Sequence, residues 1–275
     1  RDIGVTGVQT CALPISYQMG LRNSGAGAGP GKILAAGADR ILAYRDVPAQ
    51  VQHIDLRDKT CEGLDAVVDL GRQVRVAVRE ARQQEILPVV LAGNCITCLG
   101  VLAGLEPGDT GILWMDAHPD FHTPATSISG NIEGMALACA AGHCEEDLRG
   151  RIGFSSPIPE HRIAVVAPRD IEAGERERLE ASNIAVVPAD IPLSLNWDVE
   201  QVYLHIDLDC LALDESPGVA YRVQGGIPVD MAVSFVRHIL DTQPVAAVAL
   251  TNFRPDLDQD DKTLTAALRL LEGIR

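Results

Sequence analysis

Two hydrophobic periods alternate along this chain. The stretch "EGLDAVVDLGRQVRVAVREARQQE" (62–85) carries apolar residues at helical spacing opposite a charged face, so it predicts an amphipathic helix. "ILPVVLAG" follows as a short, continuously apolar run, the pattern of a buried strand. The alternation then repeats. "GILWMDAH", "RIAVVAPRD", "NIAVV", "VYLHIDLD" and "AAVALTN" predict strands. "EGMALACAAG", closed by Gly142, "AGERERLEAS", and segments near 230–240 and 263–271 predict helices. A Gly-rich loop within "GAGAGPGKILAAGADRIL" leads into a helix from about Lys32, and "FSSPIPEHR" reads as a loop. Apolar strands alternating with helices imply an α/β fold: three α-β-α layers around a mostly parallel sheet. No linker or compositional break divides residues 17–275, so they read as one domain.

Residues 1–16 break the pattern. "VTGVQTCALPIS" (5–16) has no helical or strand period and lacks the basic start and continuous apolar stretch of a signal peptide. Read back into codons it matches a common sequencing-library adapter. The segment is therefore expected to be non-native, to stand outside the fold with Cys11, and to have displaced the first strand of the sheet.

Composition narrows the function. The formal net charge is −15 over 275 residues, which argues against nucleic acid and anionic membranes as partners, since both need basic patches. No apolar run reaches the ~18 residues of a membrane span. Seven cysteines in a chain of this length do not make a secreted disulfide framework, and a reducing, cytoplasmic setting is expected. Aromatics are only 4%, so the core must be aliphatic.

In parallel sheets ligands bind beyond the carboxyl ends of the strands. Several of the predicted strands end in reactive side chains: Cys95, Asp116-Ala-His118-Pro-Asp120, Asp207-Leu-Asp209 and Asn252. Four carboxylates and an imidazole converging on one point repel one another unless cations sit between them. Oxygen-rich ligands with an imidazole suit Mn²⁺ or a similar divalent ion. Two ions sharing carboxylates can lower the pKa of a bridging water and aim it as a nucleophile.

These motifs resemble those of the arginase–agmatinase (ureohydrolase) family. "DAHPDFHTP" matches D-A-H-x-D-x-x-T-P, "SISGNIEGM" matches an S-G-N-x-H-G loop, and "HIDLDCLA" matches S-x-D-x-D-x-x-D-P. "APRDIEAGE" is similar to the family's R-D-x-D/E-x-x-E segment, and "AGNC" stands where the family has G-G-D-H. The resemblance implies one catalytic domain with the arginase-like fold and two Mn²⁺ ions. Asp116 and Asp207 would bridge them, Asp120 and Cys95 would complete one, and His118 and Asp209 the other. A metal-bridging hydroxide would then attack the carbon of a guanidino, N-hydroxyguanidino or formimino group, and Asp120 would pass a proton to the departing amine. His122, Ser129, Asn131, Glu172 and Asn252 fall where the family binds substrate. The resemblance also implies a homo-oligomer.

The departures from the family pattern are specific. Cys95 stands in place of a histidine ligand, Glu133 in place of a proton-shuttling histidine, and Asn252 in place of a guanidinium-binding glutamate. His122 occupies the place of a substrate-binding asparagine, and Ala212 that of an aspartate supporting the site. An amide at 252 cannot neutralise a cation, which points away from arginine and agmatine toward a less basic amidine. Two other readings stand beside this one. One is a catalytically degenerate homologue that binds metal or ligand without turnover; the other is a thiol–disulfide oxidoreductase built on Cys95-x-x-Cys98. His53, His143, His161 and His238 lie outside the motifs, and His205 is expected to point away from Asp207.

Overall fold

In the computed structural model, which describes residues 9–18, 21–45, 47–105, 109–188 and 197–274, the apolar runs become strands. The first is β1 (Thr10–Ile15), followed by a small antiparallel ribbon of β2 (Tyr17–Gln18) and β3 (Leu21–Arg22). Then come β4 (Gln50–Val51), β5 (Leu87–Ala92), β6 (Thr110–Met115), β7 (Ile163–Val166), β8 (Ala185–Val187), β9 (Gln201–Asp207) and β10 (Val245–Thr251). Apart from the ribbon they form one sheet in the order β4-β1-β5-β10-β9-β6-β7-β8, and every pairing is parallel. Parallel neighbours need crossovers that return the chain over a face of the sheet, and the helices supply them.

The helices are α1 (Gly29–Ala35), α2 (Ala38–Ile41), α3 (Gly63–Gln83), α4 (Cys98–Gly104), α5 (Ala136–Ala140), α6 (Glu146–Ile152), α7 (Ala173–Glu180), α8 (Val229–Thr242) and α9 (Lys262–Ile274). One face of the sheet packs a core with α3, α4, α5 and α6, and the other packs a second core with α2, α8 and α9. This is the three-layer α-β-α arrangement that the alternation of strands and helices predicts. The first helix starts earlier than its apolar period suggests, because Pro30 sits in its first turn, where proline is well tolerated. Helix α6 is seven residues long, too short for its periodicity to stand out in the sequence.

The largest difference from the sequence reading lies at the N-terminus. The slot expected to have lost its strand is filled by residues 10–15 of the segment expected to be non-native; residues 1–8 of that segment lie outside the described ones. Strand β1 pairs with β5 from Thr10 to Ile15. Cys11, Leu13 and Ile15 enter one core and Ala12 the other. Pro14 is the obstacle to reading this segment as a strand, since proline cannot donate to a ladder. Its carbonyl accepts from Ile54 N at 3.1 Å, and that of Ala12 from Gln52 N at 3.0 Å. The missing N–H therefore faces the β4 side, where pairing spans only two positions, and the β5 ladder is spared. What the slot demands is an apolar extended segment, and "TCALPI" meets that demand without any period. Burial holds the Cys11 thiol at a pKa of about 11, so it is a packed, protonated side chain.

Strands β5, β10, β9 and β6 are consecutive neighbours. Their carboxyl ends bring positions 95, 252, 207 and 116 together from distant parts of the chain. If β1 is part of this framework, Leu13→Ala, at a fully buried position, destabilises the protein by about 2–5 kcal/mol. A thermal melt checks this, and an unchanged melting temperature contradicts the integration of β1.

Candidate metal centre

Strand β6 ends at Met115, and Asp116 is the first residue beyond it. Its carboxylate is buried and accepts from Trp114 Nε1 at 3.2 Å and from the His118 amide at 2.8 Å. Beside it, Asp207 ends β9, and its Oδ1 accepts from Asp209 N at 2.9 Å. The Asp209 carboxylate in turn accepts from Ala117 N at 3.1 Å. These cross-links lock the two strand ends together through the carboxylates themselves. From outside, Arg169 gathers the carbonyls that follow β9, donating to Asp209 O at 2.6 Å and to Cys210 O at 3.3 Å.

Asp120 is held in a left-handed conformation, φ 50°, which is costly for a residue with a Cβ. Its carbonyl accepts from the amides of Leu137 (3.0 Å) and Ala138 (3.1 Å) in the first turn of α5. Those bonds fix the strained backbone and turn the carboxyl inward, where Oδ2 is buried with no hydrogen-bond partner. Asn252, just past β10, is also left-handed, φ 65°.

The buried acids perturb one another. Burial, then the charges of Asp209, Asp207 and Asp120, push Asp116 well above the usual carboxylate range. Burial likewise raises Asp120, and burial with the Asp209 charge lifts Asp207 to about 8. Burial also acts to raise Asp209, but the His118 hydrogen bond and charge outweigh it and hold this carboxyl below its ordinary value. For His118 burial disfavours the cation, yet Asp116 at 3.4 Å and Asp209 at 3.0 Å carry its pKa up to about 12. The His118 imidazole serves as a local counter-charge for acids it cannot all neutralise.

Two sets of atoms that could hold a metal ion result. Asp116, His118 and Asp209 form the outer set; Cys95, Asp116, His205 and Asp207 form a deeper one, and in each set the atoms lie within 4.8 Å of one another. Asp116 belongs to both, as a bridging ligand must. Asp120 lines the same cavity but belongs to neither set. The residues suit divalent metal: clustered buried anions, a partnerless Asp120 oxygen, and imidazole and thiol donors around them. Cys95 Sγ donates to Asp207 Oδ2 at 3.1 Å and lies 3.6 Å from Thr251 Oγ1. Asn252 Nδ2 donates to the same Asp207 oxygen and to Cys95 Sγ, the latter at 3.5 Å.

The cavity above these sets has a volume of about 220 Å³, and every catalytic, substrate-binding and metal position expected from the sequence lines it, though Ala212 does not. Ser129 donates no side-chain contact to the metal ligands; its Oγ accepts from Asn131 N at 3.1 Å on the rim. Asn131 Nδ2 donates to Glu133 Oε2 at 3.4 Å and to Tyr221 Oη at 3.3 Å, while its Oδ1 accepts from Glu133 N at 3.2 Å. His122 Nε2 lies 3.4 Å from Glu172 and 3.6 Å from Glu175. Among the described residues lining the cavity none is Lys or Arg, so its field favours cations.

Of three further neighbours, Tyr221 escaped the sequence reading, while Asp170 and Glu175 stood in the R-D-x-D/E-x-x-E segment without an assigned role. Tyr221 meets the His118 ring edge-on at 5.8 Å between centroids. Asp170 approaches His118 Nε2 at 3.5 Å, and Glu175 accepts from Phe121 N at 2.8 Å. His205 is a correction: residues two apart in a strand share a face, so it points the same way as Asp207 and joins the deep set. The Cys95–Cys98 pair gains no support as a redox site. Cys98 Sγ turns into the core toward Ala136 O at 3.8 Å, and burial holds both thiols far above their ordinary pKa, whereas a redox thiol must ionise.

Comparison with known proteins agrees with this geometry. The sequence is 28% identical over 243 residues to arginase of Bacillus subtilis (strain 168), covering 83% of this chain and 82% of that one. The solved structure of arginase from Bacillus subtilis superposes with a TM-score of 0.87 at 25% identity, covering 97% of this chain and 98% of the other. The formimidoylglutamase of Bacillus subtilis subsp. subtilis str. 168 shares the fold at 16% identity, with a TM-score of 0.77 over 97% of this chain and 86% of its own. The family model described as "Arginase family" matches residues 2–274, nearly the whole chain, and the chain therefore belongs to the arginase family.

Proposed function

We propose that this protein is a metal-dependent hydrolase of C–N bonds in linear amidines, acting on a guanidino, N-hydroxyguanidino or formimino compound less basic than arginine. The observation that carries the reading is the cluster itself: buried carboxylates at the ends of β6 and β9, crowded enough to raise one another's pKa, facing a cavity sized for a small molecule. The family's known activities support it, since relatives include arginases and, at the level of fold, a formimidoylglutamase.

Asp116, His118 and Asp209 suit Mn²⁺, and Cys95, Asp116 and Asp207 are placed to hold a second ion; bound there, divalent metal supplies positive charge that activates water and polarises the substrate. The chain's own groups do the rest. Asp120 presents its partnerless Oδ2 to the cavity and can pass a proton to the departing nitrogen. Glu133, buried and oriented by Asn131, relays protons between the cavity and the rim. Ser129, Asn131, His122 and Glu172 offer hydroxyl, amide, imidazole and carboxylate groups to the polar tail of a substrate. At the reacting end Asn252 offers an uncharged amide whose Nδ2 is already engaged by Asp207 and Cys95. A guanidinium finds no dedicated carboxylate at that position.

The test loads the protein with Mn²⁺ and assays arginine, N-hydroxy-arginine, agmatine, guanidinobutyrate and formiminoglutamate, scoring urea, hydroxyurea and formamide. Turnover is expected on a neutral or weakly basic amidine; metal binding without hydrolysis of any of them would establish the degenerate-homologue reading instead. Arginine cleavage is expected to be slow, and Asn252→Glu to raise its kcat/KM about ten- to a hundredfold, the worth of a charge-assisted hydrogen bond of ~1.5–3 kcal/mol. Fast arginine turnover by the unsubstituted protein contradicts this. Glu133→Gln is expected to lower kcat by about 10²–10⁴ with KM little changed, the scale of lost general acid–base catalysis; a change confined to KM assigns Glu133 to binding.

A further inference from the structure

We infer that the deep half of the centre is a Cys–His–Asp₂ site in which His205 is a metal ligand, and that it selects a zinc-class ion over manganese. This rests on the reading of the cavity as a metal centre but not on any substrate.

His205 is fully buried on β9, two residues before Asp207 and on the same face. Across the sheet it is in register with Trp114 on β6 and Ala249 on β10, while Asp207 is in register with Thr251. Its imidazole lies flat on the Trp114 indole, with centroids 3.6 Å apart and planes 4° apart, so it has no freedom to swing. One edge of the ring meets Tyr203: Nδ1 is 2.8 Å from the phenol oxygen. The other edge faces the acids, with Nε2 3.4 Å from Thr251 Oγ1, the hydroxyl that also donates to Asp207 Oδ2 at 3.0 Å. A ligating imidazole characteristically has its second nitrogen held by an outer partner. Tyr203 is that partner: with Nδ1–H donating to the phenol oxygen, the Nε2 lone pair is left for an ion.

The donors around that point are Cys95 Sγ, an Asp116 oxygen, an Asp207 oxygen and the His205 ring nitrogen, all from buried residues. A second observation also points to a cation here: buried Asp120 turns into the same cavity an Oδ2 that meets no hydrogen-bond partner. The ion class follows from the donors. Thiolate and imidazole suit zinc, cobalt and their neighbours, whereas manganese suits sites of carboxylate, carbonyl and water. Four mixed S, N and O ligands also match the tetrahedral preference of zinc. Binding expels the Cys95 thiol proton, so the sulfur enters as thiolate.

The experiment reads the metal, not turnover. Protein dialysed against equal Zn²⁺ and Mn²⁺ is assayed for bound metal by mass spectrometry, and Co²⁺-loaded protein is scanned for sulfur-to-cobalt charge-transfer absorption. Zinc is expected to win one site per chain, and the charge-transfer band to be present and to vanish in Cys95→Ser. His205→Gln is expected to weaken zinc binding at the deep site at least about a hundredfold, more than the loss of an outer partner alone costs. His205→Phe keeps a flat ring on Trp114; it is expected to lose the same affinity while the protein still folds cooperatively, its metal-free melting temperature lowered only by the lost Tyr203 hydrogen bond. Manganese in preference to zinc, no charge-transfer band, or unaltered zinc affinity in the folded His205→Phe protein each overturns the inference. Amidine hydrolysis by protein whose deep site takes manganese when zinc is offered equally would overturn it while leaving the proposed function intact, and zinc held there through His205 without hydrolysis would do the reverse.

Discussion

Everything in this molecule turns on the repulsion among Asp116, Asp120, Asp207 and Asp209. Four buried acids within one cavity cannot all ionise without compensation. The only one held below its ordinary pKa is Asp209, the acid closest to His118. The other three are pushed up, Asp207 to about 8. A protein keeps such a cluster only if it over-determines the positions of its members, and this chain does so. Each acid is tied to backbone amides or neighbouring side chains, or, for Asp120, fixed by a carbonyl that receives two amides of α5.

The sheet is the device that imposes this crowding. Parallel pairing of β6 with β9 and β9 with β10 sets the strand ends level, so residues distant in sequence meet without any long reach of side chain. Loop conformations finish the work. The left-handed residues Asp120 and Asn252 turn the chain sharply just where it leaves the sheet, and both side chains face the cavity. Strain placed at these two positions, and held there by hydrogen bonds from more regular structure, is the usual mark of a site whose geometry matters more than local stability.

Most of this framework was legible in the sequence because it obeys local rules. Continuous apolar runs become interior strands, amphipathic periods become α3, α8 and α9, and the acids stand at strand ends where a parallel sheet places its ligands. Strand β1 was not legible, because a six-residue segment with a proline carries no period, and its pairing is dictated by the open slot beside β5 rather than by its own pattern. Tyr221 was hidden for a different reason: it reaches the cavity from a loop whose placement depends on tertiary packing, whereas Asp170 and Glu175 stood in a recognisable segment and lacked only a role. His205 could have been found, since the alternation that puts Asp207 and Asp209 at a strand end also puts position 205 on the face of 207.

The two halves of the centre also differ in how far they depart from the family pattern. The outer half keeps Asp116, His118 and Asp209 as the motif has them, and His118 remains within reach of solvent, its side chain 23% exposed. The deep half holds Cys95 and Asn252, and these altered positions touch each other: Asn252 Nδ2 donates to Cys95 Sγ, and both meet Asp207 Oδ2. His205 stands at the same point, joined to it through Thr251. Random decay of an unused site scatters changes and leaves buried polar groups unpaired, at ~1–3 kcal/mol each. Here Cys95, Asn252, Thr251 and His205 satisfy one another around a single carboxylate. That mutual contact is what gives the deep half, on the inference drawn above, a ligand chemistry of its own.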